Sequence, residues 1–166
     1  MQRIGIFSGT FNPLHAGHMA FALQAVQTCR LDQVVFLPEP NPRGKFNVPD
    51  VAIRLREIEN QLINHPTLAV RQLTQPQFSV DYTLPLLQTL YPQSQLVLLI
   101  GSDVVLSLHK WPHIKTLTSS VEFAIGLRGS NDESSLVQYL ASFDIDYTII
   151  HTSYKHVSSS LLRKHT

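Results

Sequence analysis

Gly9-Thr10-Phe11-Asn12-Pro13-Leu14-His15-Ala16-Gly17-His18 follows a short apolar run, Ile4-Gly5-Ile6-Phe7, and leads into a helical stretch from Gly17 to Arg30. A glycine at position 9 lets the backbone come close to a ligand. The start of a helix adds free N–H groups and the positive end of the helix dipole. A phosphate is therefore expected on this turn. His15 and His18 are three residues apart, so on a first helical turn they face one way and reach the same phosphate as hydrogen-bond donors. Donors so placed stabilise charge that develops on a phosphate as its bonds change. A bare pair of histidines at this spacing is more often two polar residues at a helix start, so the surrounding chain has to decide between the two readings.

Working outward, brief β-branched apolar runs recur at Val34-Val35-Phe36-Leu37, Leu96 to Ile100, Val121 to Ile125 and Tyr147 to Ile150. Their brevity marks buried strands. Between them lie helical stretches at Val51–Asn64, Asp81–Tyr91, Trp111–Thr118, Asp132–Phe143 and Ser158–Lys164. Alternating buried strand and helix predicts an α/β fold, a Rossmann-like parallel sheet with helices on both faces, as a single domain over residues 1–166. Ligands of such sheets bind at the carboxyl ends of the strands where strand order reverses. The loops after Phe7, Leu37, Ile100 and Ile150 should meet there. The loop Pro38-Glu39-Pro40-Asn41-Pro42-Arg43-Gly44-Lys45 is too rich in proline for helix or inner strand, and its basic tip suits a substrate clamp.

The composition sets limits. Thirteen Lys and Arg against twelve Asp and Glu leave a net charge of +1, which offers no broad attraction for nucleic acid or an anionic membrane. Cys29 is the only cysteine, so neither an internal disulfide nor a multi-cysteine zinc site can form, and a reducing compartment is the simpler expectation. No apolar run approaches the ~20 residues of a membrane span. The expected location is the cytoplasm. A metal site built from His15, His18, His109 and His113 has no supporting Cys or Glu-x-x-His pattern, and no protein-held metal is expected. A homo-oligomer stays open.

The string Gly-Thr-Phe-Asn-Pro-x-His-x-Gly-His closely resembles the signature of the adenylyltransferase and cytidylyltransferase superfamily. Within it, the chain most resembles the bacterial nicotinate mononucleotide adenylyltransferase family, in order along nearly its whole length. Gly101-Ser102-Asp103 looks like that family's Gly-[Ala/Ser/Gln]-Asp turn. Trp111 matches a tryptophan that stacks on the pyridine ring, and Lys45 matches a basic residue that reaches a substrate phosphate. Val157-Ser158-Ser159-Ser160-Leu161-Leu162-Arg163 is similar to the family's Ile-Ser-Ser-Thr-x-Ile-Arg. The resemblance implies catalytic roles for His15 and His18. It implies ATP contacts from Gly9, Thr10, Gly17, Gly101, Asp103, Ser159 and Arg163, and acceptor contacts from Thr10, Phe11, Lys45 and Trp111. It implies direct attack of an acceptor phosphate on the α-phosphorus of ATP, with Mg²⁺ carried in on the nucleotide.

Taken alone, each motif has a plainer explanation: Asp103 as a helix cap, Trp111 as packing, Lys45 as a solvated charge, the serines as a capped helix. There are also departures from the family. Phe78-Ser79-Val80 stands where Ser-Tyr-Thr is usual, Tyr82-Thr83 where Asp-Thr is usual, and Asn41-Pro42-Arg43-Gly44-Lys45 where Asn-Pro-Pro-His-Lys is usual. The acceptor thus stays open between nicotinate mononucleotide, nicotinamide mononucleotide, phosphopantetheine and a cytidylyl-transfer substrate. A non-catalytic nucleotide sensor on the same fold is the rival of a different class.

Overall fold

In the computed structural model, which describes residues 1–128 and 132–152, the apolar runs form strands and the stretches between them form helices. The order is β1 (Arg3–Gly9), α1 (Ala16–Thr28), β2 (Gln33–Pro38), α2 (Val51–Leu62), β3 (Leu68–Val70), α3 (Thr83–Leu90), β4 (Gln95–Gly101) and α4 (Ser102–Val105). There follow a 3-10 turn at Leu108–Lys110, α5 (Ile114–Ser120), β5 (Glu122–Gly126), α6 (Glu133–Leu140) and β6 (Tyr147–Ile150). The strands pair in parallel in the order β3-β2-β1-β4-β5-β6.

Alternation along each strand sorts the side chains between two cores. Ile4, Ile6, Val35, Leu37, Leu96, Leu98 and Ile100 share one face with Leu84 and Leu87 of α3, Leu117 of α5 and Leu136 and Leu140 of α6. Phe7, Val34, Phe36, Val97 and Leu99 share the other with Phe21, Ala22 and Ala25 of α1 and with Ile58 and Leu62 of α2. A side chain such as Phe36, with 0% exposure, contributes roughly 1.5–3 kcal/mol by leaving water. Cys29 is a free, buried thiol on that second face. Gly5 is required by close approach, because a Cβ there would lie 2.8 Å from both Leu31 and Val34 side-chain atoms.

Besides the short α4 and the 3-10 turn at Leu108–Lys110, which no expected stretch covered, two further elements depart from the sequence expectation. β3 is a sixth strand made of only Leu68-Ala69-Val70, too short to stand out as an apolar run. The helix expected from Trp111 begins instead at Ile114. Trp111 precedes Pro112, whose ring disfavours helical backbone in the residue before it, and Trp111 is accordingly extended at φ −75°, ψ 133°. The expected helix at Ser158–Lys164 lies outside the described residues. No helix among the described residues is long and apolar enough to cross a membrane.

Candidate active site

Strand order reverses beside β1, which pairs with β2 on one side and β4 on the other. Pairing between β1 and β4 ends at Ile6–Leu98, while β1 runs on to Gly9 and β4 to Gly101. These strand ends, which part from each other while β1 stays paired to β2 and β4 to β5, are the two lips of a cleft of about 820 Å³. Such a switch point is where an open parallel sheet takes its ligand. The walls are completed by the loop after β2, by residues 77–80, and by Lys110, Trp111 and Pro112.

His15 and His18 form the part of the cleft wall where α1 begins. His15 is the N-cap of α1, and its Nδ1 accepts from the N–H groups of Gly17 at 3.1 Å and His18 at 3.4 Å. His18 answers from the third helical position, its Nδ1 accepting from the His15 N–H at 3.2 Å. This is a capping box in which histidine replaces the usual Ser and Glu. The rings stack with centroids 3.7 Å apart, and Phe7 and Phe11 close the far side of His18 at 5.9 and 5.1 Å.

Because each Nδ1 accepts a hydrogen bond, the neutral imidazole must carry its proton on Nε2. Burial favours that neutral form. His15 is pushed down to about 4, first by desolvation and then by the Arg128 cation. His18 is pushed down to about 3 by desolvation, then by His15 and Arg128. At neutral pH the site therefore presents two Nε2–H donors and no imidazolium. The His15 Nε2 is buried and has no hydrogen-bond partner among the described residues, which is the condition of a donor made for a ligand.

This arrangement corrects one expectation. The free N–H groups expected at the helix start are largely engaged: those of Gly17 and His18 are taken up by the His15 ring. Among the described residues, the donors left open at this end of α1 are the imidazole Nε2–H groups rather than the N–H groups of Gly17 and His18. Gly17 accordingly does not line the cleft, whereas Gly9, Thr10, Phe11, His15, His18, Lys45, Gly101 and Trp111 do. Phe11 turns its ring into the core, 3% exposed, from a left-handed backbone at φ 46°, so its ring is not a surface of the cleft that a ligand could stack on. The glycine at position 9 makes room for that ring, since a Cβ there would lie 3.2 Å from it. Asp103 sits exposed on the first turn of α4 and is not among the cleft residues. Ser159 and Arg163 lie outside the described residues. His109 contacts the Tyr139 hydroxyl at 2.9 Å and His113 pairs with Asp81 at 3.3 Å, so neither joins His15 and His18.

Sequence reading missed Arg128. It follows β5, which lies next to β4, and its Nε comes within 3.1 Å of where a Cβ on Gly101 would be. Its N–H is held by the buried Ser102 hydroxyl at 2.9 Å. With Arg43, Lys45 and Lys110 it makes the cleft cationic, and Glu39 is the sole carboxylate among the described lining residues. Glu39 is engaged, accepting from the Phe78 N–H at 3.0 Å and the Ser8 hydroxyl at 3.3 Å. A cationic cleft with neutral donors on one wall suits a phosphate-bearing ligand.

Comparison with known proteins agrees with this geometry. The family model described as cytidylyltransferase-like matches residues 6–165. The protein of Desulfotalea psychrophila named "Probable nicotinate-nucleotide adenylyltransferase" is 35% identical over 93% of this chain and 78% of its own length. The chain belongs to the nicotinate-nucleotide adenylyltransferase family. A second member of the family, the nicotinate-nucleotide adenylyltransferase of Bacillus subtilis, is 30% identical over 93% of this chain and 87% of its own. The fold is shared with the Plasmodium falciparum nicotinic acid mononucleotide adenylyltransferase solved with NaAD. That match has a TM-score of 0.81 and 18% identity, and covers 99% of this chain and 83% of the other. Sequence thus shows the family, and the solved structure shows the shared fold.

Proposed function

We propose that the chain transfers the adenylyl group of ATP to nicotinate mononucleotide, forming deamido-NAD and pyrophosphate. The observation that carries this reading is the pair of neutral Nε2–H donors in a cationic cleft at the sheet's switch point. The names of the relatives in sequence supply the acceptor.

The chemistry asks little covalent work of the protein. A phosphate oxygen of the acceptor, already an anion, attacks the α-phosphorus. A new P–O bond forms, the bond from that phosphorus to the bridging oxygen breaks, and pyrophosphate leaves with the electron pair. No proton has to be removed, so no general base is needed, which fits imidazoles that are acceptors at Nδ1 and donors at Nε2. His15 and His18 donate to the oxygens on which charge grows, and their fixed capping geometry means they need not reorganise as it does.

The nucleotide enters as MgATP, with the ion held mainly by the phosphates. Among the described residues no group of three or more His, Cys, Asp or Glu is placed to hold a metal ion, and Glu39 is already engaged by Ser8 and Phe78. Gly9, Thr10, Gly101, Ser159 and Arg163 are assigned to the ATP side. Thr10, Phe11, Lys45 and Trp111 are assigned to the acceptor side, with Trp111 stacking on the pyridine ring.

Incubation with MgATP and nicotinate mononucleotide, followed by mass spectrometry, tests the reaction. Deamido-NAD and pyrophosphate in equal amounts are expected. Conversion of ATP to AMP or ADP without a dinucleotide product would overturn the reading.

A further inference from the structure

Helix α2 carries a charged residue on its buried face. Arg54 stands one turn ahead of Ile58 and two ahead of Leu62, all three buried, and is itself 1% exposed. A cation removed from water is costly unless its donors are satisfied. Here the satisfying atoms are backbone carbonyls from three separate segments. Nε donates to Pro49 O at 2.9 Å, Nη1 to Thr10 O at 2.7 Å, and Nη2 to Glu39 O at 2.9 Å and Pro40 O at 3.3 Å. The segments are the turn after β1, the loop after β2 and the start of α2. Desolvation lowers the Arg54 pKa, while Asp50 and Glu39 act the other way.

Filling space against the sheet would be served as well by an apolar side chain of similar volume. A planar guanidinium adds direction, because its donors are fixed in a fork. Thr10 and Glu39 both line the cleft on the side where β1 and β2 end as paired neighbours, the Glu39 N–H donating to Gly9 O at 2.9 Å, so the fork ties the turn after β1 to the loop after β2 from behind. The Thr10 carbonyl belongs to the peptide that leads into Phe11, the residue with φ 46°. In a planar trans peptide the N–H points opposite to the C=O. Holding the Thr10 oxygen therefore also aims the Phe11 N–H, and a polarised carbonyl strengthens that donor. The Glu39 carboxylate continues the brace to Ser8 and Phe78.

We propose that Arg54 is a positioning residue of the cleft: it anchors the Thr10 turn to the Glu39–Pro40 loop and aims the Thr10–Phe11 peptide at an acceptor phosphate. The acceptor part of this rests on the function proposed above; the anchoring of the turn to the loop does not.

Arg54→Lys and Arg54→Gln test it, the first keeping the charge and the second keeping part of the donor set, neither able to serve all four carbonyls. Three things are measured in each: melting temperature, kcat and KM for nicotinate mononucleotide and for MgATP, and amide hydrogen exchange. The expected result is a rise of roughly tenfold or more in acceptor KM, with MgATP KM changed less than about twofold. Exchange should quicken at residues 9–12 and 39–45 while amides of β4 keep their protection. A lowered melting temperature with unchanged acceptor KM, or exchange quickened evenly along the chain, would reduce Arg54 to a packing residue and overturn the proposal. If the unmodified protein turns over no acceptor, the functional reading fails on its own, and localised or even exchange still decides whether Arg54 anchors the turn and the loop.

Discussion

His15 and His18 cap each other: the Nδ1 of His15 accepts the His18 N–H at 3.4 Å and the Nδ1 of His18 accepts the His15 N–H at 3.2 Å. One structural device thus does two jobs. It ends the turn after β1 by starting α1, and it fixes both rings in the tautomer that donates from Nε2. The local rule for beginning a helix and the chemical need for neutral donors are met by the same atoms.

His18→Ala should lower kcat by roughly a hundredfold or more, with substrate KM much less affected. His15→Ala should do the same and in addition remove the helix cap, costing about 1 kcal/mol of stability. Steady-state kinetics beside thermal melting separates the two effects. A large rise in KM at unchanged kcat would remove His18 from transition-state stabilisation.

Both rings have folded-state values well below the usual 6.5, at about 4 for His15 and about 3 for His18. The unfolded chain then takes up protons that the folded chain refuses. Their contribution to stability is full above about 6.5 and is lost as the pH falls from there toward 4 and 3. Among the eight histidines, imidazole NMR should find two that do not titrate between pH 5 and 8 and that carry the Nε2–H tautomer. Titration of both near 6.5 contradicts the account.

Trp111 is part of the cleft wall and also packs against the core beside α5. Trp111→Ala should raise acceptor KM about fivefold or more, the size of a lost stacking contact of about 1 kcal/mol. The KM for MgATP should move far less. Unchanged acceptor affinity would take Trp111 out of the site.

Gly101 leaves space for the stem of Arg128, and a methyl there would meet its Nε at 3.1 Å and its Cδ at 3.3 Å. Gly101→Ala should displace that guanidinium and lower kcat/KM severalfold with little change in melting temperature. Arg128→Met should cost more, roughly tenfold or above, because a charge-assisted contact is lost outright. Arg128→Met with full activity would show that this cation only shapes the field around the histidines.

The strands, the sheet type and the position of the cleft were legible because buried parallel strands are short apolar runs and the ligand turn follows the first of them. β3 was not legible, since Leu68-Ala69-Val70 carries too little pattern to be read without its partner Val34-Val35-Phe36. Arg128 and Arg54 were missed for a related reason. Arg128 becomes a site residue only once β5 is known to lie beside β4. Arg54 looks in sequence like an ordinary charge on an amphipathic helix, and only tertiary structure brings it the carbonyls of Thr10, Glu39 and Pro40. The capping role of the histidines was hidden because the usual side-chain caps are Ser, Thr, Asp and Asn.

The most direct test of the central claim is pyrophosphate release from MgATP with nicotinate mononucleotide, nicotinamide mononucleotide and phosphopantetheine compared under one set of conditions. The account predicts the highest kcat/KM for nicotinate mononucleotide. Preference for either of the other acceptors, or ATP binding without turnover of any of them, would contradict it.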